Sequence, residues 1–295
     1  MSQSSGEPIL QQPPSRLARL VRALRFLRNT PGWGRVVDRL VPTGATGAFV
    51  VDNNGTRFAG DLGSYIDRQM YLYGEYEEPC LADFMSCVPS SHRTTILDIG
   101  ANVGTHSLYF SKRFTQVHSF EPNPGVWPSI ERNLALNNAN NITLHKIGLG
   151  ARNEDLTLYL TEKTNLGMAT FSTVPQYDVP LTPTAICRVL IGDEYLASIG
   201  VTTCGAVKID VQGFEPDVIA GLRGFLAASK PVVWFELGGG TKERFRSRSD
   251  VEALFPYPIN MRKILQRAPS GSGAALDDPG LAGELAMGDY VVTPR

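Results

Sequence analysis

The 295-residue chain predicts an α/β fold built on a doubly wound, mostly parallel sheet with a helical and hairpin extension at its N-terminus. Three observations carry that expectation. Short apolar runs such as "TILDIG", "QVHSFEP", "AVKIDV" and "PVVWFEL" alternate with segments of helical period. Strands of a parallel sheet are buried on both faces and read as such runs. The first run passes directly into "GANVG", Gly100 to Gly104, where a strand would turn into a helix. Acids stand at the ends of these runs: Asp98, Glu121, Asp210 and Glu236. A carboxylate at a buried strand end is costly unless something polar meets it.

Taken in order, residues 1–15 are polar, with Pro13 and Pro14. "RLARLVRALRFLRN" follows as a helix. Leu17, Leu20, Val21, Leu24 and Leu27 share one face, and Arg16, Arg19, Arg22, Arg25 and Arg28 step along the rest. Such a helix either packs on its own domain or lies on an anionic membrane or a partner protein. "FVVDNNGTRF" places Asn54-Gly55 between β-rich flanks, a hairpin signal. Helical text runs from about Asp61 to Val88. The strand "TILDIG", the helix "THSLYFSKRF", the strand "QVHSFEP", the helix "VWPSIERNLALNN" and the strand "NITLHKIGLG" come next. "DLTLYL" alternates as a further strand. "AVKIDV" (strand), "EPDVIAGLRGFL" (helix) and "PVVWFEL" (strand) follow, then loop-like text and a closing strand in "DYVVTPR". The expected divisions are 1–45, a polar tail and basic helix; 46–92, a hairpin and helical lead-in; and 93–295, the α/β domain.

Hydrophobic content of 42% and charged content of 19% are those of an ordinary globular chain. The net charge of −1 conceals an asymmetry. Residues 1–40 hold seven arginines, two acids and no lysine, and the remainder holds 21 basic and 27 acidic residues. The body is therefore no nucleic-acid binder of the usual basic kind, and it could host a cationic ligand. Cys80, Cys87, Cys187 and Cys204 form no CxxC pair, and the four histidines form no HxxxH or HExxH pair, so no metal site is expected. Few cysteines, no signal-peptide apolar core and no membrane-length apolar run point to a cytoplasmic protein.

In a doubly wound sheet, ligands sit at the carboxyl ends of the strands. Gly100 and Gly104 lie in the first such turn, and Asn102 between them tolerates unusual backbone angles. Glu121 ends the second strand, where an acid suits a ribose diol. A dinucleotide would want GxGxxG and a pyrophosphate on the helix N-terminus. Here Ala101 follows the first glycine, and Asp98 precedes it. That acid suits the cationic sulfonium of S-adenosylmethionine better than a pyrophosphate.

"ILDIGANVGTHSLYF", "SFEPNP", "NLALNN" and "VKIDVQGFEPDVIAGL", with "NLGMATF" at Asn165 to Phe171 and "GEYEEP" at Gly74 to Pro79, resemble the FkbM-type family of S-adenosylmethionine-dependent methyltransferases. The likeness runs from about Tyr65 to Leu237. It implies a Rossmann-like domain of the class I methyltransferase type. It places the cofactor against Asp98, Gly100, Asn102, Gly104 and Glu121. It implies methyl transfer to oxygen, often on a sugar or secondary-metabolite hydroxyl. The family often has Glu where this chain has Gln212.

Methyl transfer to a hydroxyl needs the acceptor held in line and its proton removed. Asp210 is the first candidate base, with Glu236 and Glu215 beside it. Structural readings stand next to these. Asp98 could hold its own loop, Asp210 could orient a turn, and Glu215 could open a helix ahead of Pro216. His106 reads as a packed histidine. Tyr65, Tyr71, Tyr73 and Tyr76 form either a lid or ordinary packing. The alternatives to a methyltransferase are a nicotinamide-dependent oxidoreductase and a non-catalytic S-adenosylmethionine-binding protein.

Overall fold

The computed structural model describes residues 12–160, 169–172, 180–238, 241, 244–265, 276–277 and 285–295. The chain divides into two compact units, Met1–Tyr76 and Glu77–Arg295.

In the first unit, α1 (Arg16–Ala23) and α2 (Trp33–Leu40) precede a hairpin of β1 (Ala48–Asn53) and β2 (Thr56–Asp61), then α3 (Tyr65–Leu72). Asn54 and Gly55 both take positive φ, 54° and 77°, as a two-residue hairpin turn of right-handed twist requires. The apolar stripe of α1 does not set its buried face. Ala18 and Val21 are buried, whereas Leu17 and Leu20 are about half exposed, at 48% and 50%. Arg22 accounts for the rotation. Its guanidinium donates to the Tyr71 carbonyl at 2.6 Å, to Asn53 Oδ1 at 3.0 Å and to the Asp52 carbonyl at 3.1 Å. Arg28 likewise meets the Tyr73 carbonyl and Glu75, both at 2.9 Å. Tyr71 packs on Phe49, and Tyr65 meets Tyr76 edge-on, so the tyrosine cluster contributes to the packing of this unit.

The second unit begins with α4 (Glu78–Cys87) and contains an eight-stranded sheet. The strands are β3 (Thr95–Ile99), β4 (Gln116–Phe120), β5 (Ile142–His145), β10 (Ala206–Ile209), β11 (Val232–Leu237), β12 (Ile259–Ile264), β13 (Leu276–Asp277) and β14 (Gly288–Pro294). Their order is β13-β12-β14-β11-β10-β3-β4-β5. The five from β11 to β5 are parallel, and β14 enters antiparallel between β11 and β12. This is the doubly wound class I methyltransferase arrangement, reversing at β3 and β10. The crossover helices are α5 (Thr105–Ser111), α6 (Trp127–Leu136), α8 (Glu215–Gly221) and α9 (Arg223–Ser229), with α10 (Arg248–Leu254) before β12. The predicted "EPDVIAGLRGFL" helix is thus two, and the predicted "NITLHKIGLG" strand is divided between β5 and β6 (Gly148–Gly150).

A smaller sheet of order β6-β9-β7-β8 adds β7 (Glu154–Leu160), β8 (Ala169–Thr170) and β9 (Thr182–Ile191), with α7 (Gly192–Ser198) after it. The sequence reading has no counterpart for β9, α7, α10 or β12. Of the "NLGMATF" motif, Asn165 to Met168 lie outside the described residues.

Strand alternation gives the main sheet two cores. Leu97, Ile99, Val207, Ile209 and Phe235 point to one face with Val218, Ile219 and Leu222. Ile96, Ala206 and Trp234 point to the other with Phe84 and Phe110. Phe84 and Phe110 are wholly buried, ring centroids 6.0 Å apart and edge-on. Each such ring contributes roughly 1.5–3 kcal/mol by leaving water. Asp98 and Lys208 are register partners on β3 and β10, so their side chains emerge together on the second face.

Candidate functional site

Gly100 opens the turn after β3 with φ of 83°. A Cβ there would stand 1.9 Å from the Asp210 carbonyl, so the turns after β3 and β10 touch backbone to backbone. Gly104 starts α5 with φ of 86°, and its Cβ would press on Ile130 Cγ1 at 2.9 Å. Asn102 between them has φ of 51°. The glycines of GANVG therefore answer to close packing within the chain. The turn's amides are engaged too. Gly100 and Ala101 donate to the Phe120 carbonyl at 2.9 and 3.0 Å, and Gly104 donates to Ala101 at 2.9 Å. Asn102 donates to Glu121 Oε2 at 2.8 Å.

Glu121 clamps two turns at once, since its Oε1 accepts the Asn123 N–H at 2.8 Å. Each carboxylate oxygen keeps a further lone pair. Burial pushes this carboxyl up to about 7, against the pull of the Asn123 and Asn102 amides. It lines a cleft of about 630 Å³, mouth included. Val126, Leu149, Leu158, Phe171 and Phe214 supply apolar walls, and Gly100, Asn102, Asn123, Asp210 and Gln212 supply the polar part. None of the described lining residues is basic.

Asp98 is fully buried and is not among the lining residues. Its Oδ2 accepts the Ser107 hydroxyl at 2.6 Å, and Ser119 donates to Ser107 at 2.9 Å. Its Oδ1 is 3.3 Å from Lys208 Nζ. Lys208 also donates to the Gly100 carbonyl at 2.7 Å and stands 3.7 Å from Asp210 Oδ2. Burial alone would lower the lysine, but Asp98 and Asp210 outweigh it and hold the ammonium above its ordinary value. Lys208 is not among the residues that the sequence singles out. The available signal was a lysine inside an otherwise apolar strand, two residues before the acid.

Asp210 keeps 32% of its side chain exposed and lines the cleft. Burial would raise its carboxyl, but Lys208, Gln212 and Glu236 together hold it below the usual range. Glu236 is displaced the other way, up to about 10, by burial and by the charge of Asp210. Gln212 Nε2 donates to both, at 2.9 Å to Asp210 Oδ1 and 2.9 Å to Glu236 Oε2. Glu215 is occupied elsewhere. Its Oε1 accepts the Val211 and Gly213 amides at 3.0 and 3.2 Å, which folds the turn after β10. Burial sets its carboxyl at about 7 despite those amides. His106 is buried, tilted against Trp234 at 5.4 Å, with Nε2 3.3 Å from Glu77 Oε2. Thr170 donates to the Gln212 carbonyl at 2.6 Å and seats Phe171 beside Phe214, a contact the sequence reading lacked.

The structure thus gathers Gly100, Asn102, Glu121 and Asp210 at one cleft, with Gln212 joining Asp210 to Glu236. Asp98 and Glu215 lie beneath it as supports. Among the described residues, no group of three His, Cys, Asp or Glu is arranged to hold a metal ion. No described helix is long and apolar enough to cross a membrane.

A family model described as the methyltransferase FkbM domain matches residues 98–268. The chain belongs to the FkbM methyltransferase family. The match takes in every residue of the cleft named above. Among relatives of this FkbM chain, "Methyltransferase 1" of Beauveria bassiana is 28% identical over 144 residues, 43% of this chain and 57% of that protein. The "Hexuronic acid methyltransferase AglP" of Haloferax volcanii is 27% identical over 136 residues, 46% of this chain and 53% of that protein. The chain spans little more than half the length of these curated relatives. A solved FkbM methyltransferase from Methylobacillus flagellatus aligns over 90% of this chain and 62% of its own, with TM-score 0.43 and 16% identity.

Proposed function

We propose that this FkbM chain transfers the methyl group of S-adenosylmethionine to a hydroxyl oxygen of a sugar or secondary metabolite. The observation that carries this reading is the chemistry of the cleft. Its charged groups are carboxyls, none of its described lining residues is basic, and the amides of Gly100, Ala101, Asn102 and Gly104 are already bonded. Such a cleft suits a cation with a diol better than the pyrophosphate of a nicotinamide cofactor. Apolar walls at Val126 and Leu149 suit a purine ring. Glu121 would hold the ribose hydroxyls, and Asp210 would face the acceptor. The cofactor, when bound, supplies a methyl group already activated on a sulfonium. This chain's residues then orient the acceptor and take its proton, for which Asp210 Oδ is the reading we favour. The name of the Haloferax volcanii relative, a hexuronic acid methyltransferase, agrees with a sugar ring as acceptor and not with a neutral one. Transfer of labelled methyl from S-adenosylmethionine into sugar-containing extracts tests the activity, and its complete absence alongside tight cofactor binding would favour the non-catalytic alternative.

Glu121→Gln tests the cofactor half. A hydrogen bond to a charged group contributes about 1.5–3 kcal/mol. Affinity for S-adenosylhomocysteine is expected to fall about tenfold or more by calorimetry. A folded variant with parental affinity would remove Glu121 from the ribose contact.

We infer separately that the first unit touches an anionic lipid surface. Leu17, Leu20 and Phe26 are exposed, Phe26 at 74%, beside the exposed Arg16 and Arg19. Apolar tips between arginines suit a lipid interface better than a phosphate groove, which gives apolar groups no reward. The chain is expected to sediment with phosphatidylserine vesicles at low salt and to be released by high salt. Phe26→Glu should abolish the effect, and sedimentation indifferent to that change would refute it.

A further inference from the structure

Asp210 and Glu236 stand at the ends of neighbouring strands, and one amide nitrogen joins them. Gln212 Nε2 has two hydrogens, and its two carboxyl contacts at 2.9 Å use both. The residue is fixed from behind as well. Its backbone is left-handed, with φ of 53°, and its carbonyl accepts Thr170 Oγ1 at 2.6 Å. Two carboxyls this close do not both ionise readily. Lys208, 3.7 Å from Asp210 Oδ2, decides which one carries the charge. Asp289 does the reverse for Glu236, because it is its register partner on β14 and adds a second negative group. Glu215 adds to the negative field at Glu236, and His106 favours the charge on Asp210.

We propose that Asp210 and Glu236, tied by Gln212, hold one proton between them and form the acceptor subsite for a neutral vicinal diol. The inference rests on the methyltransferase reading and names its substrate class. Asp210 accepts a hydrogen bond from the hydroxyl to be methylated and then receives its proton. Glu236 donates its own O–H to the adjacent hydroxyl and retains that proton throughout. An anionic acceptor would bring a third negative charge against the pair and the nearby Asp289, and is rejected. Gln212 is the positioning residue. A glutamate in its place has no N–H to join the two carboxyls and adds a charge between them.

The experiment uses the full chain saturated with S-adenosylhomocysteine, after calorimetry has established that binding. Failure at that first step defeats the cofactor reading itself. Saturation-transfer NMR at pH 7.5 then compares methyl α-glucopyranoside with methyl α-glucopyranosiduronate. The neutral sugar is expected to bind about tenfold tighter, the effect of one unfavourable charge contact. Equal binding, preference for the uronate, or binding of neither overturns the subsite. Gln212→Glu is expected to weaken the neutral sugar by about tenfold or more. Wild-type sugar binding should decline as pH rises toward 10, where Glu236 loses its proton. Glu236→Gln carries a permanent N–H, so that decline should vanish. Loss of sugar binding in Glu236→Gln at pH 7.5, or an unchanged alkaline limb, overturns the proton assignment.

Discussion

Asp210→Asn is expected to fold normally and to lose methyl transfer by about 100- to 10,000-fold, the usual size of a lost general base. Side-chain shape is retained, and the amide can still bond with its neighbours. Three things change. The variant cannot take a proton, cannot attract a sulfonium, and no longer gives Lys208 its second carboxylate. The geometry favours Asp210 over its neighbours as the base. Burial and the charge of Asp210 push the Glu236 carboxyl well up, so it is no base near neutrality. Glu215 spends its lone pairs on the Val211 and Gly213 amides and is 1% exposed. Cofactor affinity and the single-turnover rate at saturating cofactor must be measured separately. Weak binding with a parental rate at saturation would make Asp210 a cofactor residue. Parental values for both would take it out of the site.

Lys208→Met is expected to be the most destabilising of the changes considered, by about 3–5 kcal/mol, the cost of breaking a buried ion pair on one side. Asp98 is wholly buried and Lys208 is 2% exposed, so neither charge has water to fall back on. Methionine fills the space of the alkyl stem but leaves Asp98, among the described residues, with the Ser107 hydroxyl alone, and takes from the Gly100 carbonyl its Lys208 donor. The urea midpoint should fall with an unchanged m-value. Combining the change with Asp98→Asn removes the stranded charge and should recover part of the loss. If Lys208→Met matches the parent in stability, the pair is not holding the sheet centre together.

The parallel part of the main sheet was legible because most of its strands are apolar runs that end beside acids, whereas β12 was not. Burial on both faces leaves little room for other residue types. Of the small sheet, β7 was legible from its alternation, and β9 was not. Strand β9 carries Pro183 and Arg188 and has Ile186 76% exposed, so its text lacks both the alternating and the continuous pattern. Its order comes from pairing with β7, Leu156 opposite Cys187, which only the tertiary structure supplies. At the site, residue types and strand ends pointed to Glu121 and Asp210. The work of Asp98 was not readable in the same way. Its partner Lys208 is set by the register of two parallel strands, and 108 residues separate that lysine from Gly100. The second glycine of the motif was legible as a turn, but its reason, Ile130 on α6, was not.

The backbone contact at Gly100 also limits how such a chain can diverge. With the turns after β3 and β10 in direct contact, any added bulk at that point must displace the peptide that carries Asp210. The turn that carries Asn102 and the strand end that carries Asp210 are therefore constrained as one block. Along the rim, where Thr170 donates to the Gln212 carbonyl and Phe171 packs on Phe214, side chains can be exchanged one at a time, unlike this peptide crossing.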